Sequence, residues 1–403
     1  MEGVPAILTA ANLRLSELAP TFVQSEIRAM NVACSAVNGI NMAQGVCDTD
    51  PPHPVVESAI DAIRSGQNIY TRLEGIATLR EALSHKLATF NRLTADPERE
   101  ILVTSGATGA MYCTLLALLN PGDEVLILEP FYGYHILTLR SQRLTPVIVP
   151  LDAPDWNLDL DRLRASVTPR TRAIILNTPA NPSGKVFTLP ELELLAAFAI
   201  EHDLFVFTDE MYEYFLYESA GSDGNPAQHL SIAALPGMAD RTITISGFSK
   251  TFSVTGWRLG YLTGSTKWLP AIGNFHDLTY ICAPAPLQHG AATGLLQLPP
   301  SFYTDMAAEY QAKRDLTCAA LIRAGLTPSI PNGAYYILAD ATSVPGLNAK
   351  QKARQLLAST GIATVAGSAF FTEGRGENLL RFCFAKKQSE LEEACRRLDA
   401  YSS

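Results

Sequence analysis

Lys250 is the residue in this sequence best placed to do covalent chemistry. It stands in Ser246-Gly247-Phe248-Ser249-Lys250-Thr251-Phe252, among small and apolar neighbours, with Gly256-Trp257-Arg258-Leu259-Gly260 following. A lysine held in such surroundings loses hydration. Desolvation disfavours its charged form and leaves an amine able to form a Schiff base with a carbonyl. Arg258, eight residues on, offers a planar fork that matches a phosphate. A lone lysine is commonly a solvated surface group, and the Gly, Phe, Ser and Trp around Lys250 argue against that here.

Four further segments carry groups that could serve the same chemistry, and each also has a plain structural explanation. Ser105-Gly106-Ala107-Thr108 follows the apolar run Ile101 to Thr104. Small residues there let amides at a helix N-terminus approach a phosphate, with the Ser105 and Thr108 hydroxyls at hand, although an ordinary helix cap has the same composition. Glu129-Pro130-Phe131-Tyr132-Gly133-Tyr134 could lay an aromatic ring against a heteroaromatic one, worth ~1 kcal/mol beyond burial, or could simply join the core. Asn177-Thr178-Pro179-Ala180-Asn181-Pro182-Ser183-Gly184-Lys185 contains ordinary turn residues. In Thr208-Asp209-Glu210-Met211-Tyr212-Glu213 a carboxylate precedes a phenol by three residues. A buried carboxylate beside a pyridine nitrogen keeps it protonated, which an electron-sink ring requires, whereas a strand-end Asp otherwise caps a helix.

The elements needed to bring these groups together are legible as an alternation. Short β-branched runs at Ile101 to Thr104, Glu124 to Leu128, Pro146 to Val149, Ala173 to Leu176, Leu204 to Thr208 and Thr242 to Ile245 read as strands. Helical patterns fall between them at Gly109 to Leu119, Tyr134 to Gln142 and Leu189 to His202. This is the pattern of βαβ units, an α/β fold with a mostly parallel sheet and helices on both faces. Its strand ends would present all five segments to one crevice. After Pro299 and Pro300 a long helix, Phe302 to Ala324, leads to strands at Ala334 to Ala339, Ile362 to Val365 and Leu379 to Phe384, with helices at Ala349 to Thr360 and Ser389 to Leu398. A large domain over residues 46–302 and a smaller α+β domain built from 1–45 and 303–403 are expected, since 403 residues exceed one core's usual size. Ser219 to His229, rich in Gly, Ser and Asn, reads as an exposed loop.

Together the motifs resemble the class I/II aminotransferases of fold type I, the family of aspartate, aromatic and kynurenine aminotransferases. The resemblance runs from Gln44-Gly45 to Arg381-Phe382-Cys383-Phe384, and is sharpest over Ser249-Lys250-Thr251-Phe252 with Thr255-Gly256-Trp257-Arg258-Leu259-Gly260-Tyr261. It implies a pyridoxal 5′-phosphate cofactor held by Lys250 as an imine. Asp209 would pair with the ring nitrogen, Tyr212 and Asn181 with its phenolic oxygen, and Tyr132 would stack on the ring. Gly106, Ala107, Thr108, Ser249 and Arg258 would hold the phosphate, with Tyr70 arriving from the second subunit of a homodimer. Arg381 would take the substrate carboxylate, helped by the backbone at Gly45. Leu13, Tyr280, Tyr335 and Phe370 are candidate substrate-lining residues. The chain departs from the family at Gly247, where a serine is common, and at Cys47-Asp48, where Pro-Asp is common.

The resemblance implies amino-group exchange between an amino acid and a 2-oxo acid. Aspartate-type transamination, C–S β-elimination and other lyase chemistry on the same fold remain alternatives. Composition narrows the rest. A net charge of −9 with no basic run opposes nucleic-acid binding, and no apolar run approaches the ~20 residues of a membrane helix. Seven cysteines without a Cys-x-x-Cys pair oppose a disulfide framework and a metal site and suit a reducing cytoplasm. Met1 to Arg14 shows no secretion signal, and the residues before Gly45 show no helix-turn-helix pattern. No Gly-x-Gly-x-x-Gly supports a nicotinamide cofactor.

Overall fold

A computed structural model describes residues 13–22, 26–218 and 228–401 of the chain. Residues 1–12, most of the N-terminal stretch read for a signal, and 219–227, most of the expected loop, lie outside the described residues. Among those described, the chain opens with α1 (Glu26–Ala36) and the two-residue β1 (Ile40–Asn41), then α2 (His53–Arg64) and α3 (Ala77–Lys86). The alternating part follows as β2 (Ile101–Thr104), α4 (Gly106–Leu118), β3 (Glu124–Glu129), α5 (Gly133–Ser141), β4 (Thr145–Pro150), α6 (Leu160–Ala165), β5 (Thr171–Asn177), α7 (Leu189–Glu201), β6 (Phe205–Asp209), β7 (Thr242–Gly247) and β8 (Gly260–Thr263). Then come α8 (Leu269–Tyr280), α9 (Ala285–Gln297) and α10 (Pro300–Arg323). The last part holds β9 (Thr327–Ser329), β10 (Tyr336–Asp340), α11 (Ala349–Thr360), β11 (Ile362–Ala363), β12 (Val365–Ala366), β13 (Leu379–Cys383) and α12 (Gln388–Tyr401).

Seven strands form the central sheet in the order β2-β8-β7-β6-β5-β3-β4. Pairings among β7, β6, β5, β3 and β4 are parallel, and β8 runs antiparallel between β7 and β2. The expected mostly parallel sheet is present, with β8 as an unforeseen member, because Gly-Tyr-Leu-Thr carries one β-branched residue where the equally short β2 carries three. Burial on both faces explains the continuous apolar strands. In β3, Val125 and Ile127 join a core that takes in Met111 and Leu115 of α4, while Leu126 and Leu128 join one that takes in Leu192 and Leu195 of α7. Helix starts follow local chemistry too. Thr188 and Glu191 form a reciprocal capping box at α7, and Asn348 caps α11 by accepting from Gln351 N at 3.0 Å.

A second, antiparallel sheet of order β12-β13-β10-β9 follows, and β1 pairs in parallel with β11. Two expected strands differ here. The run Ile362 to Val365 breaks at Thr364, since β11 pairs with β1 while β12 pairs with β13. The run from Ala334 becomes a strand only at Tyr336, because Ala334 takes a left-handed φ of +55°. One core cluster joins this sheet to α1, α10, α11 and α12 and reaches Met211, Tyr212 and Phe215 just beyond β6. No helix among the described residues is long and apolar enough to cross a membrane.

Candidate active site

A cavity of about 550 Å³ opens where β2, β3, β5, β6 and β7 end, and residues of α1 and β13 close its other side. That volume suits a small cofactor with a substrate. Ala107, Thr108, Tyr132, Asn181, Asp209, Tyr212, Ser249, Lys250, Arg258, Gly45 and Arg381 all line it, so the five segments picked from sequence converge as the strand topology requires.

One end is built for an anion. Ser105 makes no side-chain cap to α4, and its own backbone N–H donates to His276 Nε2 at 3.1 Å. The first amides of α4 are therefore available, and the helix dipole makes that end electropositive. Arg258 lies against the same turn: a Cβ on Gly106, which has φ +74°, would come within 2.6 Å of Arg258 Nη2. Gly260 matters for the same reason, since a Cβ there would meet Ala107 N at 2.6 Å. Thr108, Ser249 and Thr255 line the cavity beside them.

At the centre, Lys250 Nζ donates to Gly45 O at 2.8 Å. Burial presses this amine below its ordinary pKa, and Arg258 and Arg381 push the same way against Cys47 and Cys383. A group so destabilised as a cation is readily a neutral nucleophile. Asp209, at the end of β6, has Oδ2 3.0 Å from His135 Nε2 and accepts from Met211 N at 3.3 Å on Oδ1. Asn177 Nδ2 donates to Asp209 O at 2.9 Å, which ties the ends of β5 and β6 together. The Tyr212 hydroxyl is 2.9 Å from that of Tyr336. Burial, with Tyr336 beside it, holds Tyr212 well above the ordinary phenol value, so it stays protonated and can donate. Tyr132 sits edge-on to His135 with ring centroids 5.3 Å apart.

At the other end Arg381, on β13, is almost wholly buried. Its Nη1 donates to Asn181 Oδ1 at 2.8 Å and its Nη2 to Ala43 O at 2.6 Å, and Tyr336 and Phe370 place their rings 4.3 and 4.8 Å from the guanidinium carbon. Nε has no partner, and a buried cation with an open donor suits a carboxylate.

Several expected residues stand elsewhere within this one chain. Tyr70 is 77% exposed and outside the cavity. Tyr280 does not line it either; its ring packs near His276 and over Gly109 of α4. Leu13 is exposed, and Tyr335 is buried behind the wall with its hydroxyl donating to Gly45 O at 3.2 Å. Phe370 acts through Arg381 instead of lining the cavity. Sequence reasoning missed His135, Tyr336 and Arg28. His135 falls one turn after Tyr132 and so shares its side of α5, a usable signal. Tyr336 was the other half of a Tyr-Tyr pair whose strand phase decides which ring faces in. Arg28 reaches the cavity from α1, and nothing in the sequence tied that helix to the site.

Residues 37–398 match the family described as aminotransferase class I and II. The chain is 36% identical over 378 residues to an aspartate aminotransferase of Pyrococcus abyssi, covering 93% of this chain and 95% of the relative. It is 35% identical over 393 residues to kynurenine–oxoglutarate transaminase 3 of Homo sapiens, covering 90% and 85%. The solved structure of N-succinyldiaminopimelate aminotransferase from Mycobacterium tuberculosis superposes with a TM-score of 0.90 at 33% identity, covering 96% of this chain and all of that one.

Proposed function

We propose that this chain, which belongs to the class I and II aminotransferases and depends on pyridoxal 5′-phosphate, prefers amino acids with aromatic, apolar or neutral side chains and passes their amino group to a 2-oxo acid in ping-pong order. The observation that carries the transamination is that a single cavity is lined at once by Lys250, Asp209, Arg258 and Arg381, and the apolar and aromatic residues Ile27, Val46, Tyr134 and Tyr336 beside them support the side-chain preference. The donor set fits the cofactor. The uncapped start of α4 with Arg258 suits its phosphate, Asp209 its ring nitrogen, Tyr132 its ring face, and Tyr212 with Asn181 its phenolic oxygen.

When bound, pyridoxal phosphate supplies an aldehyde that condenses with amines and a protonated ring that withdraws electrons. Lys250 would hold it through its amine, and that amine, free beside the substrate, would be the base that takes the proton from Cα. Asp209 would keep the ring nitrogen protonated, with His135 Nε2, 3.0 Å from its Oδ2, fixing the carboxylate. Arg381 orients the substrate through its carboxylate, so that the Cα proton faces Lys250.

We further propose that residues 46–302 form a large domain and 1–45 with 303–403 a smaller one, that the enzyme works in the cytoplasm, and that it is a homodimer in which Tyr70 completes the partner's phosphate site. The exposed ring of Tyr70 supports the last point. One observation favours a second reading of the substrate. Arg28 lines the cavity and could meet a distal carboxylate, as an aspartate-type enzyme requires. Values of kcat/KM for phenylalanine, kynurenine, glutamine and aspartate decide between them. The first three should lead; a tenfold preference for aspartate overturns the proposed specificity.

A further inference from the structure

Asp209 and Tyr212 face the cavity from the turn after β6, and the residues next to them, Glu210 and Glu213, point into the protein, 0% and 2% exposed. Two carboxylates so far from water are costly by several kcal/mol each unless paired and fully hydrogen-bonded. Both are. Glu213 accepts from Lys86 Nζ at 2.5 Å, Ser246 Oγ at 2.8 Å and Asn91 Nδ2 at 2.9 Å. Glu210 accepts from Ser231 Oγ at 2.8 Å and Thr208 Oγ1 at 3.0 Å, and its other oxygen lies 2.6 Å from His229 Nε2.

Lys86 is the centre of this cluster. It ends α3, and a π-helical turn, Leu87–Asn91, follows. That wider turn brings Asn91, five residues on, back to Lys86 Nζ at 2.7 Å. Lys86 also donates to Tyr261 OH at 2.9 Å, and Phe90, Tyr214 and Tyr261 surround the ammonium with ring centroids 5.1, 5.5 and 5.6 Å away. Ligand atoms of Glu210, Glu213 and His229 lie within 4.8 Å of one another, as in a metal site. The positive charge beside them is already supplied by Lys86, so the cluster is an ion-pair network.

None of Lys86, Asn91, Glu210, Glu213, His229 and Tyr261 lines the cavity, yet the network is fastened to three segments that do. It includes Glu210 and Glu213, which directly follow Asp209 and Tyr212 in the chain. Through Ser246 it grips β7, four residues before Lys250, with Ser246 Oγ also within 3.3 Å of Glu210 O. Through Tyr261 it grips β8, three residues after Arg258.

We propose that the buried Lys86–Glu213 pair, with Asn91, Glu210 and His229, is a positioning device that fixes from behind the Asp209 carboxylate and the Tyr212 hydroxyl at the cofactor. The proposal rests on the cofactor-facing roles given to Asp209 and Tyr212 above. It makes Lys86 and Glu213 positioning residues whose removal alters the electronics of the site and not only the stability of the fold.

The test uses the cofactor-loaded enzyme and three variants, Lys86→Met, Glu213→Gln and the double variant, which carries neither charge. The readouts are the pH midpoint of the bound cofactor's visible absorbance change without substrate, and kcat and KM separately. In each variant the midpoint should move by about half a pH unit or more and kcat should fall about tenfold, with KM within about twofold. The double variant should keep these changes while its thermal midpoint returns toward wild type. A folded, cofactor-loaded double variant with wild-type absorbance midpoint and kcat overturns the proposal. Should all three fail to fold, Ser246→Ala removes one hydrogen bond to Glu213 and should also move the midpoint; no movement overturns it equally. A wild-type enzyme that shows the absorbance titration but transfers no amino group would instead sink the specificity and reaction reading, leaving the midpoint comparison valid.

Discussion

At the scale of single residues the site divides its labour by charge. Asp209 is a carboxylate whose duty is to favour a cation, and asparagine keeps its shape without that charge. Asp209→Asn should therefore retain cofactor, through the phosphate end and Lys250, while the single-turnover rate with an amino acid falls about a hundredfold to a thousandfold, ~3–4 kcal/mol of barrier. Stopped-flow absorbance checks this, and a near-normal rate would remove Asp209 from its assigned role. Arg381 is held by Asn181, Ala43 and two rings in one orientation. Arg381→Lys should lower kcat/KM about a hundredfold despite keeping the charge, because an ammonium cannot make the two parallel bonds of a guanidinium. Single residues were also where sequence was most and least informative. Lys250 and Arg258 announced themselves by their neighbours, whereas Tyr336 depended on the phase of a strand and Tyr280 on a helix direction, neither of which a motif encodes.

Elements set the distances between these groups, and their contacts are correspondingly intolerant. β8 passes so close to the start of α4 that Gly260→Ala would drive a methyl into Ala107 N, 2.6 Å away. Both partners there are backbone, so the phosphate end must shift, and cofactor affinity should drop about tenfold or more while the far end of the site is untouched. Equilibrium dialysis of cofactor measures it. The same junction carries an acid sensitivity. His276 on α8 accepts the Ser105 amide and is pushed down to about 4 by burial. Its unfolded value is near 6.5, so the folded form refuses a proton the unfolded chain takes up. The associated stability is full above pH ~6.5 and is lost as pH falls toward 4, about 2 kcal/mol of it by pH 5. His276→Gln should flatten the fall in denaturant midpoint between pH 7 and pH 5; an unchanged slope would contradict it. The large sheet was legible because strands buried on both faces are written as unbroken apolar runs. Where pairing partners change within two residues, as at Thr364, or where a short strand carries a single β-branched residue, as in β8, local pattern has little to register.

Considered whole, the molecule leaves an apolar area around its phosphate end that one chain does not cover. Ile69 and Tyr70 are 79% and 77% exposed, and Leu278 of α8 is 81% exposed. Leu73 packs toward Gly273, so the Ile69 to Leu73 segment and α8 belong to one region. Such a surface is of the kind that a second subunit would cover in the homodimer proposed above. Equilibrium sedimentation should give a dimer, and Tyr70→Ala should weaken cofactor binding without dissociating it; an active monomer would contradict both. Transamination at Lys250 is tested by adding single amino acids, with no oxo acid present, to the cofactor-loaded enzyme. The yellow absorbance should be lost and one equivalent of the matching 2-oxo acid released per site, with no further turnover. Continuous release of ammonia, or no oxo acid from any amino acid, would contradict it.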